Sequence, residues 1–340
     1  MPIMFVYEKD LIDPTPSIPP LEGKVIFITG GTAGLGKATL LSLLARKPLH
    51  IYFSGRSRVA ADDLIASVTA AQLQPRPLPI KKPANVAPSS PSSPDYPPLT
   101  FVQMDLASLS TVKRAIETTF THDRLDVLIN NAGIMAHPPG LSADGFEIQF
   151  ATNHIGHAMV VRALLPVLER TAALPDSDVR IVNLTSVGYQ GHPRGGISFS
   201  TLKTTQAGIP VLGNWTRYGQ SKLANILFTT ELARRYPAIT TVAVHPGVVE
   251  TGLVTSQGYI NRILVYIPNK LMGAPVLTVE KGCWNQVWAA VVAKKADLVN
   301  GAFYMPVGHL ANDKLDSCAT DDKLAGELWR WTEEVLAGFD

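Results

Sequence analysis

The sequence predicts an α/β fold: a single, doubly wound sheet of about seven parallel strands flanked by helices. Three observations predict it. Short β-branched runs alternate with longer amphipathic stretches along most of the 340 residues. The strand runs are almost wholly apolar, as expected when helices cover both faces of a parallel sheet. A glycine-rich turn follows the first of them, where such a sheet meets its first helix.

The strands read, in order, as KVIFIT (24–29), HIYFS (50–54), TFVQM (100–104), LDVLIN (125–130), VRIVNLT (179–185), TTVAVH (240–245) and GAFYM (301–305). Helical periodicity fills the intervals at about 35–46, 59–72, 107–121, 144–172, 216–236 and 278–294, with a last helix near 321–337. Residues 1–21 read as an extended N-terminal arm, with the domain running from 22 to 340. The stretch 74–98 holds 9 of the chain's 26 prolines. Proline removes donors and fixes φ, so this stretch is neither helix nor central strand but a flexible surface insertion. The strand–helix rhythm resumes in phase beyond it, so it marks no domain boundary.

Composition narrows the function. A net charge of +2 supplies no basic field for nucleic acid. No apolar run reaches membrane-spanning length, and the N-terminus lacks the basic region of a signal peptide. Cys283 and Cys318 lie far apart without metal-ligand spacing. They fit a reducing, cytoplasmic compartment better than a disulfide framework.

In TGGTAGLGKATLLSLL (29–44), Gly30, Gly34 and Gly36 follow a strand and open a helix. There the backbone N–H groups can approach a pyrophosphate, and the helix N-terminus faces the anion. Thr32, Ala33 and Leu35 lie within the same cradle. The motif lacks the Gly-Lys-Ser/Thr ending of a nucleoside triphosphatase loop. A Rossmann-type dinucleotide site is the reading. Arg56 stands 20 positions after Gly36, where an NAD-selective site has an acid for the ribose 2′-hydroxyl. With no carboxylate there, Arg56, aided by Arg58 or Lys37, suits a 2′-phosphate, so NADP(H) is the expected cofactor.

YGQSK (218–222) puts a phenol one helical turn ahead of an ammonium. With TGGTAGLG, NNAG (130–133) and a serine after the fifth strand, the chain closely resembles the short-chain dehydrogenase/reductase family. NHIGH (153–157), SKLANILF (221–228) and HPGVVET (245–251) are nearest to its retinol dehydrogenase and WW-domain oxidoreductase branch. The resemblance covers roughly residues 22–310. It implies Tyr218 as acid/base, Lys222 as its cationic partner and ribose-binding group, Ser186 as the carbonyl-orienting hydroxyl and Asn153 as fourth member. It also implies cofactor contacts from Asp105, from Asn131, Ala132 and Gly133, and from Pro246, Gly247, Val249 and Thr251. Asp105 reads equally as an N-cap of the next helix, and Thr185 is a rival to Ser186. Lys222 is expected to favour the phenolate by Coulomb attraction. His154 and His157 have the spacing of a weak metal pair without a third ligand, so packing or a surface position is the expectation.

The apolar stretch 252–277 occupies the place where the family has a substrate lid. A bulky apolar ketone, aldehyde or secondary alcohol follows, of polyketide, steroid or retinoid type. The same stretch could instead pack on the core, pair subunits or touch a membrane surface. Pairing of two copies through the helices carrying Asn153 and Tyr218 is also implied. Rival readings are a catalytically quiet NADP-binding regulator or scaffold, and a fold using its tyrosine for dehydration or isomerisation.

Overall fold

The computed structural model describes residues 11–73, 98–209, 212–250 and 275–339. The main sheet has eight strands in the order β10-β9-β6-β5-β4-β1-β2-β3. They are β1 Val25–Ile28, β2 His50–Gly55, β3 Leu99–Gln103, β4 Val127–Asn130, β5 Arg180–Leu184, β6 Thr240–Val244, β9 Phe303–Met305 and β10 His309–Leu310. All pairings are parallel except β9 with β10. The seven parallel strands are therefore those read from sequence, and the two-residue antiparallel edge is an addition. A separate pair joins β7 (Val248–Val249) to β8 (Val276–Leu277).

The helices are α1 Gly34–Leu44, α2 Arg58–Leu73, α3 Leu109–Thr119, α4 Ile148–Phe150, α5 Gly156–Ala172, α6 Gly213–Arg235, α7 Val279–Gly282, α8 Trp284–Val287 and α9 Asp322–Ala337. Alternate residues of each strand feed opposite layers, since the side-chain period of a strand is two. Val25 and Phe27 join the layer under α3, α5, α6 and α9, while Ile26 and Ile28 join the layer under α1, α2 and α8. Every residue of β1, β4, β5 and β6 is buried. Helices thus cover both faces.

Two expected helices are broken. The stretch 144–172 divides into α4, a π-helical turn Ala151–Ile155 and α5, and the stretch 278–294 divides into α7, α8 and a π turn Trp288–Val292. The end of the N-terminal arm is packed rather than extended. Thr15–Ser17 form a 3-10 turn, Ile18 and Leu21 are buried, and Arg46 donates to the Thr15 carbonyl at 2.7 Å. Of the insertion 74–98 only Pro98 is described, and of the stretch 252–277 only residues 275–277, which lead into β8.

Helix α9 lies against α6 and α5. Trp329 stacks on Phe228 with centroids 5.3 Å apart, Thr332 meets His154 at 3.0 Å, and Glu333 pairs with Arg162 at 3.2 Å. Pairing of copies through α5 and α6 would have to use what α9 leaves uncovered. Strand order reverses between β1 and β4. At such a switch point the carboxyl ends of the strands open a crevice, which is where open α/β sheets bind ligands.

Candidate active site

A cleft of about 620 Å³ opens at that reversal. Its walls are the glycine turn, the carboxyl ends of β2, β3, β4 and β5, the inner face of α6, and Pro246.

The glycine turn is shaped as a cradle. Gly30 has φ +68°, a left-handed conformation that favours glycine, and a Cβ on Gly36 would lie 2.2 Å from the Gly30 carbonyl oxygen. No side chain caps α1 at Ala33, so its first-turn N–H groups stay open toward the cleft. Gly30, Thr32, Ala33, Gly34 and Leu35 line the wall, while Gly36 packs beneath it. This arrangement fits a dinucleotide pyrophosphate.

Arg56 lines the cleft beside Ser54 and Gly55 and is exposed. Arg58 turns elsewhere, pairing with Asp62 at 3.8 Å and lying 4.9 Å from the Phe101 ring centroid. Asp105 lines the cleft, and its Oδ1 accepts from the Ala107 N–H at 3.0 Å. Asp105 is not the N-cap of α3, since Ser108 stands there; its carboxylate instead closes the turn that leads into the helix. Asn131, Ala132 and Gly133 form the next wall. The Asn131 side chain donates to the Thr29 carbonyl at 2.8 Å, which fixes this turn against β1. Pro246 lines the cleft. Gly247 and Val249 do not; Val249 instead packs where a Cβ on Gly282 would meet it at 2.5 Å. Thr251 lies outside the described residues.

Tyr218 and Lys222 enter the cleft from α6. Lys222 Nζ donates to the Leu184 carbonyl at 3.0 Å and stands 6.0 Å from the Tyr218 ring centroid. Burial pushes the phenol up to about 12, opposed by a hydrogen bond with Ser186, and burial pushes Lys222 down to about 8. The expected lowering of the phenol by its neighbour is therefore overturned here. Desolvation disfavours the phenolate and sets the sign of the shift.

Thr185 lines the cleft and Ser186 does not, and the two hydroxyls at the end of β5 differ in their hydrogen bonds. Thr185 donates its only hydroxyl hydrogen to the Lys222 carbonyl at 2.8 Å. Ser186 Oγ accepts from the Gly188 N–H at 3.1 Å, and its hydroxyl bonds the Tyr218 phenol. A Cβ on Gly188 would lie 3.0 Å from the Tyr218 ring and 3.3 Å from Ser186 Oγ, which brings these two side chains together.

Asn153 lies behind the cleft, fully buried in the π turn. Its side chain accepts from the Ile134 N–H at 2.8 Å and donates to the Ile134 carbonyl and Ser221 Oγ, both at 2.9 Å. It holds the wall rather than lining it.

Sequence reading missed two buried charges beside Tyr218. Arg217 and Glu147 pair at 3.4 Å with 1% and 0% side-chain exposure. Arg217 also donates to the Gln206 carbonyl at 3.1 Å, and Glu147 accepts from the Phe150 N–H at 2.7 Å. They tie the start of α6 to α4. His154 and His157 are both buried, as packing residues would be.

A Rossmann-type fold with phenol, ammonium and hydroxyl at one end of a dinucleotide cradle defines an oxidoreductase acting on CH–OH or C=O groups with a nicotinamide cofactor. Comparison with known proteins specifies the family. A family model described as short chain dehydrogenase matches residues 92–209. The chain is 32% identical over 336 residues to the short-chain dehydrogenase/reductase drtF of Aspergillus calidoustus, covering 94% of this chain and 96% of the relative. It is 33% identical over 321 residues to human retinol dehydrogenase 14, covering 94% and 87%. Among solved structures, an uncharacterised Mycobacterium paratuberculosis protein aligns with TM-score 0.67 and 25% identity over 95% of this chain and 97% of that one. A metagenomic blue fluorescent protein in complex with NADPH aligns with TM-score 0.58 and 25% identity over 85% and 98%. The chain belongs to the short-chain dehydrogenase/reductase family, in its retinol dehydrogenase-like branch.

Proposed function

We propose that the protein is an NADPH-dependent carbonyl reductase acting on a bulky apolar ketone or aldehyde, with Tyr218 as proton donor. The observation that carries this reading is the convergence of Tyr218 and Lys222 in the glycine-lined cleft, with the Ser186 hydroxyl bonded to the phenol beside them. When bound, the cofactor supplies a hydride. The residues do the rest. Ser186 donates to the substrate oxygen and orients the carbonyl. Tyr218 gives up its proton as negative charge develops on that oxygen. Lys222 offers its remaining N–H groups to the cofactor ribose and stabilises the phenolate left behind. Raised by burial, the phenol is protonated at neutral pH, as a proton donor must be.

A pH profile tests this assignment. Reduction needs Tyr218 and Lys222 both protonated, and Lys222 loses its proton first, at about 8. The expected kcat/KM is level on the acid side of pH 8 and falls about tenfold per unit above it. A profile flat to pH 10 would show that Lys222 keeps its proton in the site, against the downward push of burial.

The cofactor reading rests on Arg56, the cleft-lining cation at the end of β2. The NADPH-bound neighbour supports it. A hydrogen bond to a charged group is worth about 1.5–3 kcal/mol. Arg56→Asp should therefore cut NADPH preference over NADH by about tenfold to a hundredfold. Unchanged selectivity in a competition assay would reject a 2′-phosphate contact.

Substrate class follows from the wall around Tyr218. Met135, Ala136 and Trp215 pack against its ring, and Trp215 meets it edge-on at 6.2 Å. Ile134, Ile148 and Thr152 continue this wall. Of these residues Ile134 and Ile148 supply the apolar part of the cleft lining, which suits a retinoid-, steroid- or polyketide-like carbonyl, in keeping with the retinol dehydrogenase relative. Both cysteines are free, which suits a reducing cytoplasmic setting. No helix among the described residues is long and apolar enough to cross a membrane. No observation favours a catalytically quiet scaffold.

A further inference from the structure

One fully enclosed side chain joins the two halves of the cleft without lining it. His157 lies in the first turn of α5 and is 4% exposed. Its Nε2 is 2.9 Å from the Thr29 hydroxyl, just beyond β1, and its Nδ1 is 2.9 Å from the Asn153 main-chain carbonyl in the π turn.

The partners dictate the tautomer. A carbonyl only accepts, so Nδ1 carries the hydrogen. Nε2 of the neutral ring must then accept, and the Thr29 hydroxyl donates to it in preference to the Ile129 carbonyl at 3.5 Å. Thr29 Oγ1 in turn accepts from the Asn131 and Ala132 N–H groups at 2.9 and 3.0 Å. These residues form the wall of the dinucleotide half. At the other end, Asn153 donates through its side chain to Ser221, and the Ser221 hydroxyl donates to the Tyr218 carbonyl at 2.7 Å. One connected set of hydrogen bonds therefore runs from the cofactor turn to the helix that carries the proton donor. Burial holds the imidazole neutral, pushing it down to about 4, with the Lys222 charge acting in the same direction. The tautomer is thus constant across the neutral range.

We propose that His157 is a positioning residue: its two ring nitrogens fix the cofactor-side turn and the Asn153 carbonyl at a set separation, and so hold Tyr218 in register with the dinucleotide. The proposal rests on the reductase reading above. Any buried histidine needs its ring nitrogens satisfied, so it is the identity of their partners that bears on its role. Here each nitrogen meets a different wall of the site, and leaving either wall's buried polar group unpaired is costly.

Two substitutions separate the ends of the bridge. In His157→Asn the side-chain amide sits near the place of Nδ1, keeping the Asn153 bond and losing Thr29. In His157→Gln it reaches the place of Nε2, keeping Thr29 and losing Asn153. His157→Asn should weaken NADPH binding about tenfold, read by nicotinamide fluorescence without turnover, with kcat the less affected parameter. His157→Gln should show the reverse, with kcat down about tenfold and NADPH affinity nearly kept. Thr29→Val should follow His157→Asn. Equal losses in both parameters for both variants, tracking a fall in melting temperature, would reduce His157 to a packing residue and overturn the proposal. So would two variants indistinguishable from wild type. Should wild type bind NADPH yet reduce no carbonyl, the reductase reading fails, while the affinity measurements still decide whether His157 holds the cofactor-side turn.

Discussion

Replacing Tyr218 with phenylalanine is expected to lower kcat for NADPH-driven carbonyl reduction by about 10²–10⁴-fold, with cofactor affinity preserved. The ring would remain. Tyr218 is 6% exposed and packs with Met135, Ala136 and Trp215, so the variant keeps the apolar contacts and loses one hydroxyl. What disappears is the proton that must arrive as the carbonyl oxygen gains charge. Water is a poor substitute in this position, because the same burial that raises the phenol also limits solvent access. Steady-state kinetics beside a direct NADPH-binding measurement check the expectation. Retained turnover with retained binding would dismiss Tyr218 as the donor, and loss of both would point to a collapsed cleft.

The second large effect concerns stability in acid. His154, His157 and His245 are fully enclosed, and burial pushes them down to about 3, 4 and 4. Their folded values lie below the unfolded value of about 6.5. Between these limits the unfolded chain takes up protons that the folded chain refuses. Stability from these groups is therefore present above pH 6.5 and lost as pH falls toward 4. Going from pH 7.5 to 5.5 should cost about 1 kcal/mol for each histidine, and a few kcal/mol for the three. That is a large share of the ordinary stability of a folded domain. Urea midpoints at the two pH values provide the check. A midpoint that stays constant or rises in acid would show that these rings take up protons in the folded state. His154→Gln should flatten the dependence, since His154 is held only by Thr332 and by the Phe150 and Phe228 rings that meet it at 5.2 Å.

The seven parallel strands were legible in the sequence because both faces of each are covered, which leaves no polar period to confuse the pattern. The glycine turn, Arg56, Tyr218 and Lys222 all line the cleft, and they could be singled out in the sequence because that reading rests on local spacing, whereas Ser186 was singled out only by resemblance. The π turns at Ala151–Ile155 and Trp288–Val292 were not. One extra residue per turn shifts the hydrogen bonding without changing side-chain composition. The edge strand His309–Leu310 is short and exposed, so it carries no apolar signal. Thr29 and His157 are 128 positions apart, and only the fold brings them together. Arg217 and Glu147 were missed for the opposite reason: charged residues are rarely buried, and their pairing depends on α4 docking against α6. The fate of the phenol also escaped sequence reasoning. Spacing suggested that Lys222 would favour the phenolate, whereas burial, which spacing does not reveal, pushes the phenol up.

Transfer of deuterium from C4-labelled NADPH to an apolar ketone, followed by mass spectrometry of the alcohol, tests the central claim most directly. The wild-type protein should place one deuterium on the carbinol carbon, and Tyr218→Phe should yield almost no labelled alcohol while still binding the cofactor. A wild-type protein that binds NADPH in this cleft yet leaves the label on the cofactor across a range of apolar ketones and aldehydes would contradict it.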